Sequence, residues 1–240
     1  YNQNTNTEMD QTGITSNNFK WYRFTGDANT LAISSYTMSK TFGLIGRVNY
    51  SYMGKYLLSA SIRRDGSSVL YPTNRWDNFP AASVGWRISD EKFMSGTRDW
   101  LDNLKLRVGW GITGSAKIDP YSSVSVLENT NMSLGGVTTP IYRNSRFITN
   151  ADLGWEKSHN TNIGIDATGF RNRIDLSLDY YITKTDGVIY SVTSPIIYGT
   201  YTPGTQYQTN INVAATKNRG FELSLNSRNI VGKDFEWTTS

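Results

Sequence analysis

The sequence predicts an all-β chain, an antiparallel transmembrane β-barrel contributing about eight consecutive strands. Three observations carry this. Six or seven segments alternate apolar and polar residues for about ten positions each. Their length exceeds the usual strand of about five or six residues and matches the roughly 9–11 needed to cross hydrocarbon. The connections between them are alternately short and long, as in bacterial barrels with short periplasmic turns and longer extracellular loops.

Composition fits this reading. The 240 residues include 21 Gly, 15 Tyr and 7 Trp, with aromatics at 13%. A mean hydropathy of −0.47 is no obstacle, because a barrel turns its polar half inward. No run approaches the 18 or more apolar residues of a spanning helix. The net charge of +4 is scattered, so no footprint for nucleic acid is visible. With no cysteine, disulfides and thiolate metal sites are excluded. No secretory signal precedes the polar run at Tyr1, so the expectation is a processed chain or a fragment.

Residues 1–40 read as a polar extracellular loop. Positions 1–18 are mostly Asn, Gln, Thr and Ser, and Phe19–Lys40 has weak strand character. The first strand is Thr41–Tyr52, with Phe42, Leu44, Val48, Tyr50 and Tyr52 on one face and Arg47, Asn49 and Ser51 on the other. Met53-Gly54-Lys55 turns the chain into a second strand, Tyr56 to about Arg64, with Leu58, Ala60 and Ile62 outward. After a loop of about thirteen residues, the third strand is Phe79–Ser89, carrying Ala82, Val84, Trp86 and Ile88 on one face. Asp90–Asp102 is a compact link, with one helical turn around Glu91–Met94.

Asn103–Gly114 is the cleanest segment. Leu104, Leu106, Val108, Trp110 and Ile112 face one way, and Lys105, Arg107, Gly109, Gly111 and Thr113 the other. A long polar stretch, Ser115–Gly154, leads to a fifth strand over Trp155–Thr168. Phe170-Arg171-Asn172 turns into a sixth, Arg173–Lys184, with Leu176, Leu178, Tyr180 and Ile182 opposed to Asp175, Ser177 and Asp179. A loop from Thr185 to about Ala215 precedes the seventh, Lys217–Asn229, and an eighth begins at Asp234. Odd strands then run inward and even strands outward, with Tyr50, Tyr52 and Tyr56 at an interfacial aromatic girdle.

A soluble β-sandwich has the same alternation. Charge placement tests amphipathicity, since a Lys or Arg facing mid-bilayer costs about 2–4 kcal/mol. Lys105, Arg107, Asp166, Asp175 and Asp179 all avoid the apolar parity. A sandwich that buried its apolar face would do the same, so strand length is the better discriminator.

No enzyme signature is present. Residues 109–114 (GWGITG) match a dinucleotide-binding pattern, but that pattern needs a helix directly afterwards, and 115–120 (SAKIDP) does not begin one. His159 is the sole histidine, which leaves no His-based triad or metal site; no cofactor is expected. Tyr71, Trp76, Tyr121, Tyr142, Tyr190, Tyr198, Tyr201 and Tyr207 fall in the expected outer loops. Trp76, Tyr198, Tyr201 and Tyr207 are the candidate ligand contacts, because aromatic platforms beside amides and hydroxyls suit carbohydrate or peptide. Packing within the loops or a subunit contact is the alternative use of the same rings.

Seven motifs occur in one order: 44–52 (LIGRVNYSY), 56–68 (YLLSASIRRDGSS), 74–93 (NRWDNFPAASVGWRISDEKF), 100–110 (WLDNLKLRVGW), 155–158 (WEKS), 179–184 (DYYITK) and 218–223 (NRGFEL). The series resembles the barrel of SusC/RagA-type TonB-dependent outer-membrane transporters of Bacteroidetes, over about residues 41–240. The resemblance implies a 22-stranded barrel closed by an N-terminal plug, capped by a SusD-like lipoprotein, and energised by TonB–ExbB–ExbD through the plug. It implies active import of oligosaccharides or peptides across the outer membrane, with outer-membrane lipids around the barrel. A passive porin or adhesin barrel and a soluble glycan-binding sandwich are the alternatives. Plug and C-terminal strands are expected to lie elsewhere in a longer parent, because open strand edges in lipid cost several kcal/mol per unsatisfied group.

Overall fold

The computed structural model describes residues 38–240, so the expected loop over 1–37 lies outside the described residues. Among the described residues twelve strands form. They are β1 (Thr41–Tyr52), β2 (Tyr56–Ser67), β3 (Trp76–Arg87), β4 (Leu101–Ser115), β5 (Leu127–Leu134), β6 (Val137–Asn144), β7 (Glu156–Gly169), β8 (Ile174–Thr193), β9 (Thr200–Thr202), β10 (Thr205–Gln206), β11 (Gln208–Val231) and β12 (Glu236–Thr239). Eight build one antiparallel sheet in the order β1-β2-β3-β4-β7-β8-β11-β12, and β5–β6 and β9–β10 are separate hairpins. β1 and β12 form the two edges of the main sheet.

Registers keep the parities aligned across the sheet. One row runs Tyr50, Leu58, Val84, Val108, Ile163, Tyr180 and Phe221, and the neighbouring polar row includes Ser59, Ser83, Gly109, Asn162 and Tyr181. A one-residue slip would exchange the two faces, so the hydrophobic pattern sets the register. The apolar face is uncovered: Val48 is 70% exposed, Val84 53%, Ile163 45% and Leu223 69%. Among the described residues no second sheet packs on it. A soluble sandwich buries this face between its sheets, so the uncovered face agrees with the expected barrel and not with the sandwich alternative. The buried apolar core lies instead at the long-loop end, where Val69, Leu70 and Leu153 cluster with Ala116, Ile118, Trp155 and Ile189 around them.

Several expected boundaries are corrected. β2 continues to Ser67 and β3 starts at Trp76, so the loop between them shrinks to 68–75. β8 runs on to Thr193 and β11 begins at Gln208, where the sequence had placed a loop from Thr185 to about Ala215. Charges at Lys184 and Lys217 end the apolar alternation, but they do not end the hydrogen-bonded ladder, which continues as a polar hairpin with bulges around Ala214. The polar stretch 115–154 holds the β5–β6 hairpin. Its Gly135-Gly136 turn has φ of +60° and +82°, the conformation two-residue hairpin turns demand.

The short connections gather at the opposite end. Phe170, Arg171 and Asn172 all have positive φ near +60°, a conformation that costs non-glycine residues energy. Outside bonds hold it: Phe170 N donates to Trp100 O (2.8 Å) and Asn172 N to Asp102 Oδ2 (2.8 Å). In place of one helical turn, the link after β3 forms 3-10 turns at Ile88–Asp90 and Lys92–Thr97. Glu91 fastens this link to the sheet. Its carboxylate accepts from Tyr56 Oη (2.7 Å), Lys55 Nζ (3.1 Å) and Trp86 Nε1 (3.2 Å). Tyr56, then Lys55 and Trp86, hold the Glu91 carboxyl below its ordinary range.

A pH dependence follows. Glu91 stabilises the docked link at neutral pH, and that contribution fades as pH falls below the ordinary carboxylate value of about 4.3. Pepsin cleavage around Phe93 is expected to accelerate as the pH drops from that value toward 2. Glu91→Gln is expected to be cut faster than the wild type at the upper end of this range and at the same rate at the acid end, where Glu91 is itself protonated. Equal cleavage rates in both proteins across this range would remove Glu91 as the fastening group.

Candidate functional site

The polar face is the candidate conduit surface. Alternation places Asn49 (β1), Ser59 (β2), Ser83 (β3), Lys105 and Arg107 (β4) and Asn162 (β7) around one recess of about 500 Å³. Short hydroxyl and amide side chains supply donors and acceptors of both kinds, and Leu57 gives the same recess an apolar wall. The charges beside it are organised around Arg107. Its Nη2 donates to Asp166 Oδ1 (2.9 Å), Asp179 Oδ2 (2.9 Å) and Ser177 Oγ (3.2 Å), while Nε stands 2.8 Å from Asp166 Oδ2. Ser177 Oγ in turn donates to Asp166 Oδ1 (3.0 Å). Gly164 makes this geometry possible, because a Cβ there would stand 2.3 Å from Asp179 Oδ1 and 2.8 Å from Arg107 Cζ. One cation thus ties three strands on the polar face, with two carboxylates sharing it. Nothing in this arrangement pairs a nucleophile with a base; it can hold polar ligands and orient them.

The GWGITG segment lies inside β4, and coil follows Ser115. Its glycines serve packing: a Cβ at Gly111 would meet Ala81 Cβ at 2.9 Å, and one at Gly114 would overlap the Phe79 ring at 2.0 Å. Phe79 is only 5% exposed and meets Trp155 edge-on at 5.4 Å.

Around Phe79 the long loop 116–155 is fastened to the sheet. Trp155 Nε1 donates to Arg75 O (3.3 Å), and Asn74 Nδ2 to Ala151 O (3.0 Å). Asn212 accepts from Gly154 N (2.8 Å) and donates to Gly187 O (2.7 Å). Asn150 Nδ2 reaches Asn210 O (2.8 Å), and Asn210 Nδ2 reaches Ser122 Oγ (3.2 Å). This packing leaves a second recess, of about 540 Å³, bordered by Lys117, Asp119, Ser122, Phe147, Ser191 and Gln208. Sequence reading missed it, because its residues come from four separated segments.

The four candidate aromatics do not form one site. Trp76 sits on the apolar parity at the loop end of β3, edge-on to Phe42 at 6.0 Å and under the Arg64 guanidinium at 5.7 Å. It is a strand residue on the outer face and not a loop residue, because the alternation of β3 begins earlier than Phe79. Tyr198 closes a 3-10 turn, Ile196–Tyr198, and is 79% exposed. Tyr201 and Tyr207 do come together, edge-on at 6.2 Å. Tyr201 is also a clamp: its hydroxyl donates to Glu128 of β5, its carbonyl accepts from Arg143 Nη1 (2.9 Å), and that guanidinium lies 4.0 Å over its ring. Of the remaining loop aromatics, Tyr142 is 72% exposed on β6 and Tyr190 falls within β8.

The Glu128 bond pushes the Tyr201 phenol above its ordinary value, so the clamp is intact through neutral pH. Tyr201→Phe keeps the ring and removes the bond, at a cost of about 1 kcal/mol for a half-buried hydrogen bond. Backbone amides of the β5–β6 hairpin are expected to exchange roughly fivefold faster. Unchanged exchange would show that the cation–ring contact alone holds the hairpin.

Known proteins share this geometry. The family model described as TonB dependent receptor-like, beta-barrel, matches residues 1–240. "TonB-dependent receptor P39" of Formosa agariphila is 38% identical over 233 residues, covering 94% of this chain and 20% of that protein. "TonB-dependent receptor SusC" of Bacteroides thetaiotaomicron is 35% identical over 222 residues, covering 89% of this chain and 21% of that protein. The RagAB peptide importer in its closed-closed state superposes with a TM-score of 0.76 at 26% identity, over 88% of this chain and 22% of that one. The chain spans about a fifth of the length of the curated relatives it matches.

Proposed function

The chain belongs to the TonB-dependent receptor-like β-barrel family, and on that premise we propose that it forms part of the wall of an outer-membrane nutrient importer. The family is a class of transporters and not of enzymes. The carrying observation is the sheet's uncovered apolar face, eight strands wide, backed by a face that is mostly polar, with Ile45, Leu57 and Phe79 among its apolar members. Nine residues of β4, Leu104–Ile112, extend about 30 Å; at a tilt near 40° that is about 23 Å, close to the apolar band of about 25 Å around such barrels.

In this reading residues 41–240 are barrel wall and residues 1–40 an extracellular loop. Long loops face outward and short turns face the periplasm. The polar face lines the conduit, and passage is gated by TonB–ExbB–ExbD through a plug supplied by the rest of a longer protein. A SusD-like lipoprotein lids the barrel. The cargo is an oligosaccharide or a peptide, a class consistent with the hydroxyl- and amide-rich wall; the RagAB relative is named a peptide importer. Tyr198, Tyr201 and Tyr207 are proposed as loop contacts for it. Trp76, on the apolar parity, is better suited to the lipid interface.

The test uses the full-length protein extracted from outer membranes. A lipoprotein is expected to co-purify in stoichiometric amount, and uptake is expected to stop when TonB is deleted. Uptake that persists without TonB would support a passive porin instead. A lone protein that stays in solution without detergent would overturn the membrane reading.

A further inference from the structure

The apolar face ends differently at its two margins. At the short-turn margin it ends in aromatics, with Tyr52 stacked on Tyr56 (6.3 Å) beside Trp86, and the nearby cation Lys55 is neutralised by Glu91 at 3.1 Å. At the loop margin it ends in cations. The outward row passes from Tyr180 and Phe221 through Ile182 opposite Arg219 to Lys184 opposite Lys217, with His159 opposite Lys184 on the other side. Lys184 is paired with Asp186 (2.9 Å), and His159 lies 3.8 Å from the same carboxylate. Lys217 and Arg219 are exposed and have no acidic partner among the described residues. Asp186 answers Lys184, which leaves Lys217 opposite it and Arg219 beside it as the positive charge that an external anion would offset. These side chains share the parity of the apolar belt, so cargo on the polar wall does not meet them. What lies against that belt, in the membrane reading above, is lipid.

We propose that Lys217 and Arg219, with Lys184 beside them, form a docking site for the phosphate of a net-anionic lipid headgroup in the loop-side leaflet, one with no cation of its own to neutralise it. The inference rests on the membrane reading. The geometry suits it: Lys184 is ten residues along β8 from Ile174, which is about 34 Å of strand or roughly 26 Å of depth when tilted, the level at which hydrocarbon gives way to headgroups. Each basic residue at an anionic surface contributes roughly fivefold in affinity, so two together contribute on the order of 25-fold.

The experiment is native mass spectrometry of the full-length protein in micelles containing either phosphatidic acid or phosphatidylcholine. Retention of phosphatidic acid over phosphatidylcholine is expected. Lys217→Gln with Arg219→Gln is expected to weaken it about 25-fold, while the charge-preserving exchange Lys217→Arg with Arg219→Lys keeps it. Undiminished retention in the Gln variant overturns the proposal, and so does displacement of the lipid by an equal concentration of inorganic phosphate. A protein that needs no detergent overturns the membrane reading and this inference together. A detergent-dependent protein that retains no phosphatidic acid overturns the inference alone.

Discussion

Phe79→Ala is expected to detach the long loop from the sheet. Phe79 is buried beneath Trp155 and fills the space that Gly114 leaves beside it. Removing a buried aromatic ring costs about 3–5 kcal/mol, because the cavity only partly collapses. The surrounding strands are held by their own ladders, so the loss falls on the docking of residues 116–155. Opening of that segment is expected to rise on the order of 10²–10⁴-fold. Hydrogen exchange reads it at Gly154, whose amide bonds Asn212 Oδ1, and at Ile148, whose amide bonds Gln208 O. Strand amides such as that of Val108 are expected to keep their protection. If Gly154 stayed as protected as in the wild type, the loop would be held by its hydrogen bonds and not by the ring.

Ile163→Arg and Asn162→Arg are expected to behave oppositely although the positions are adjacent. Ile163 lies in the apolar row between Val108 and Tyr180, and Asn162 in the polar row between Gly109 and Tyr181. With the apolar face in lipid, Arg at 163 costs about 2–4 kcal/mol near mid-belt. Arg at 162 meets a wet wall with room beside Gly109, where even a Cβ on the glycine would come no closer than 4.0 Å to the Ser83 side chain. Folding into lipid vesicles, followed by the heat-dependent gel shift of a closed barrel, is expected to fail or shift for Ile163→Arg only. Equal insertion of both variants would contradict the assignment of faces.

Much of this fold was legible without coordinates. Thr41–Tyr52 appears with the expected limits, and the faces of β2, β4, β7 and β8 follow the expected parity. A period of two is a local property, printed into each strand by its own residues. The β5–β6 hairpin was not read from the sequence: 115–154 reads as one polar stretch, because neither strand carries an apolar alternation strong enough to set off the Gly135-Gly136 turn between them. The candidate site was less accessible. Loop aromatics could be named, yet nothing local distinguishes Tyr201, clamped to Glu128 and Arg143, from Tyr198, which is exposed. Arg107 was placed on the polar face, but its partners Asp166 and Asp179 lie on two further strands.

The sequence by itself determined the class, the antiparallel succession of the strands and which residues share a face, because alternation and turn chemistry act over two to four neighbours. Only the tertiary structure decided where strands end, how the 116–155 loop docks, and which charges meet. Those depend on register between segments dozens of residues apart, and a ladder continues past the last apolar residue wherever its partner strand continues too. The same distinction separates Trp76 from the other three aromatics: its pairing with Gly66 puts it on the outer face beside Phe42, a fact held by two strands and visible in neither alone.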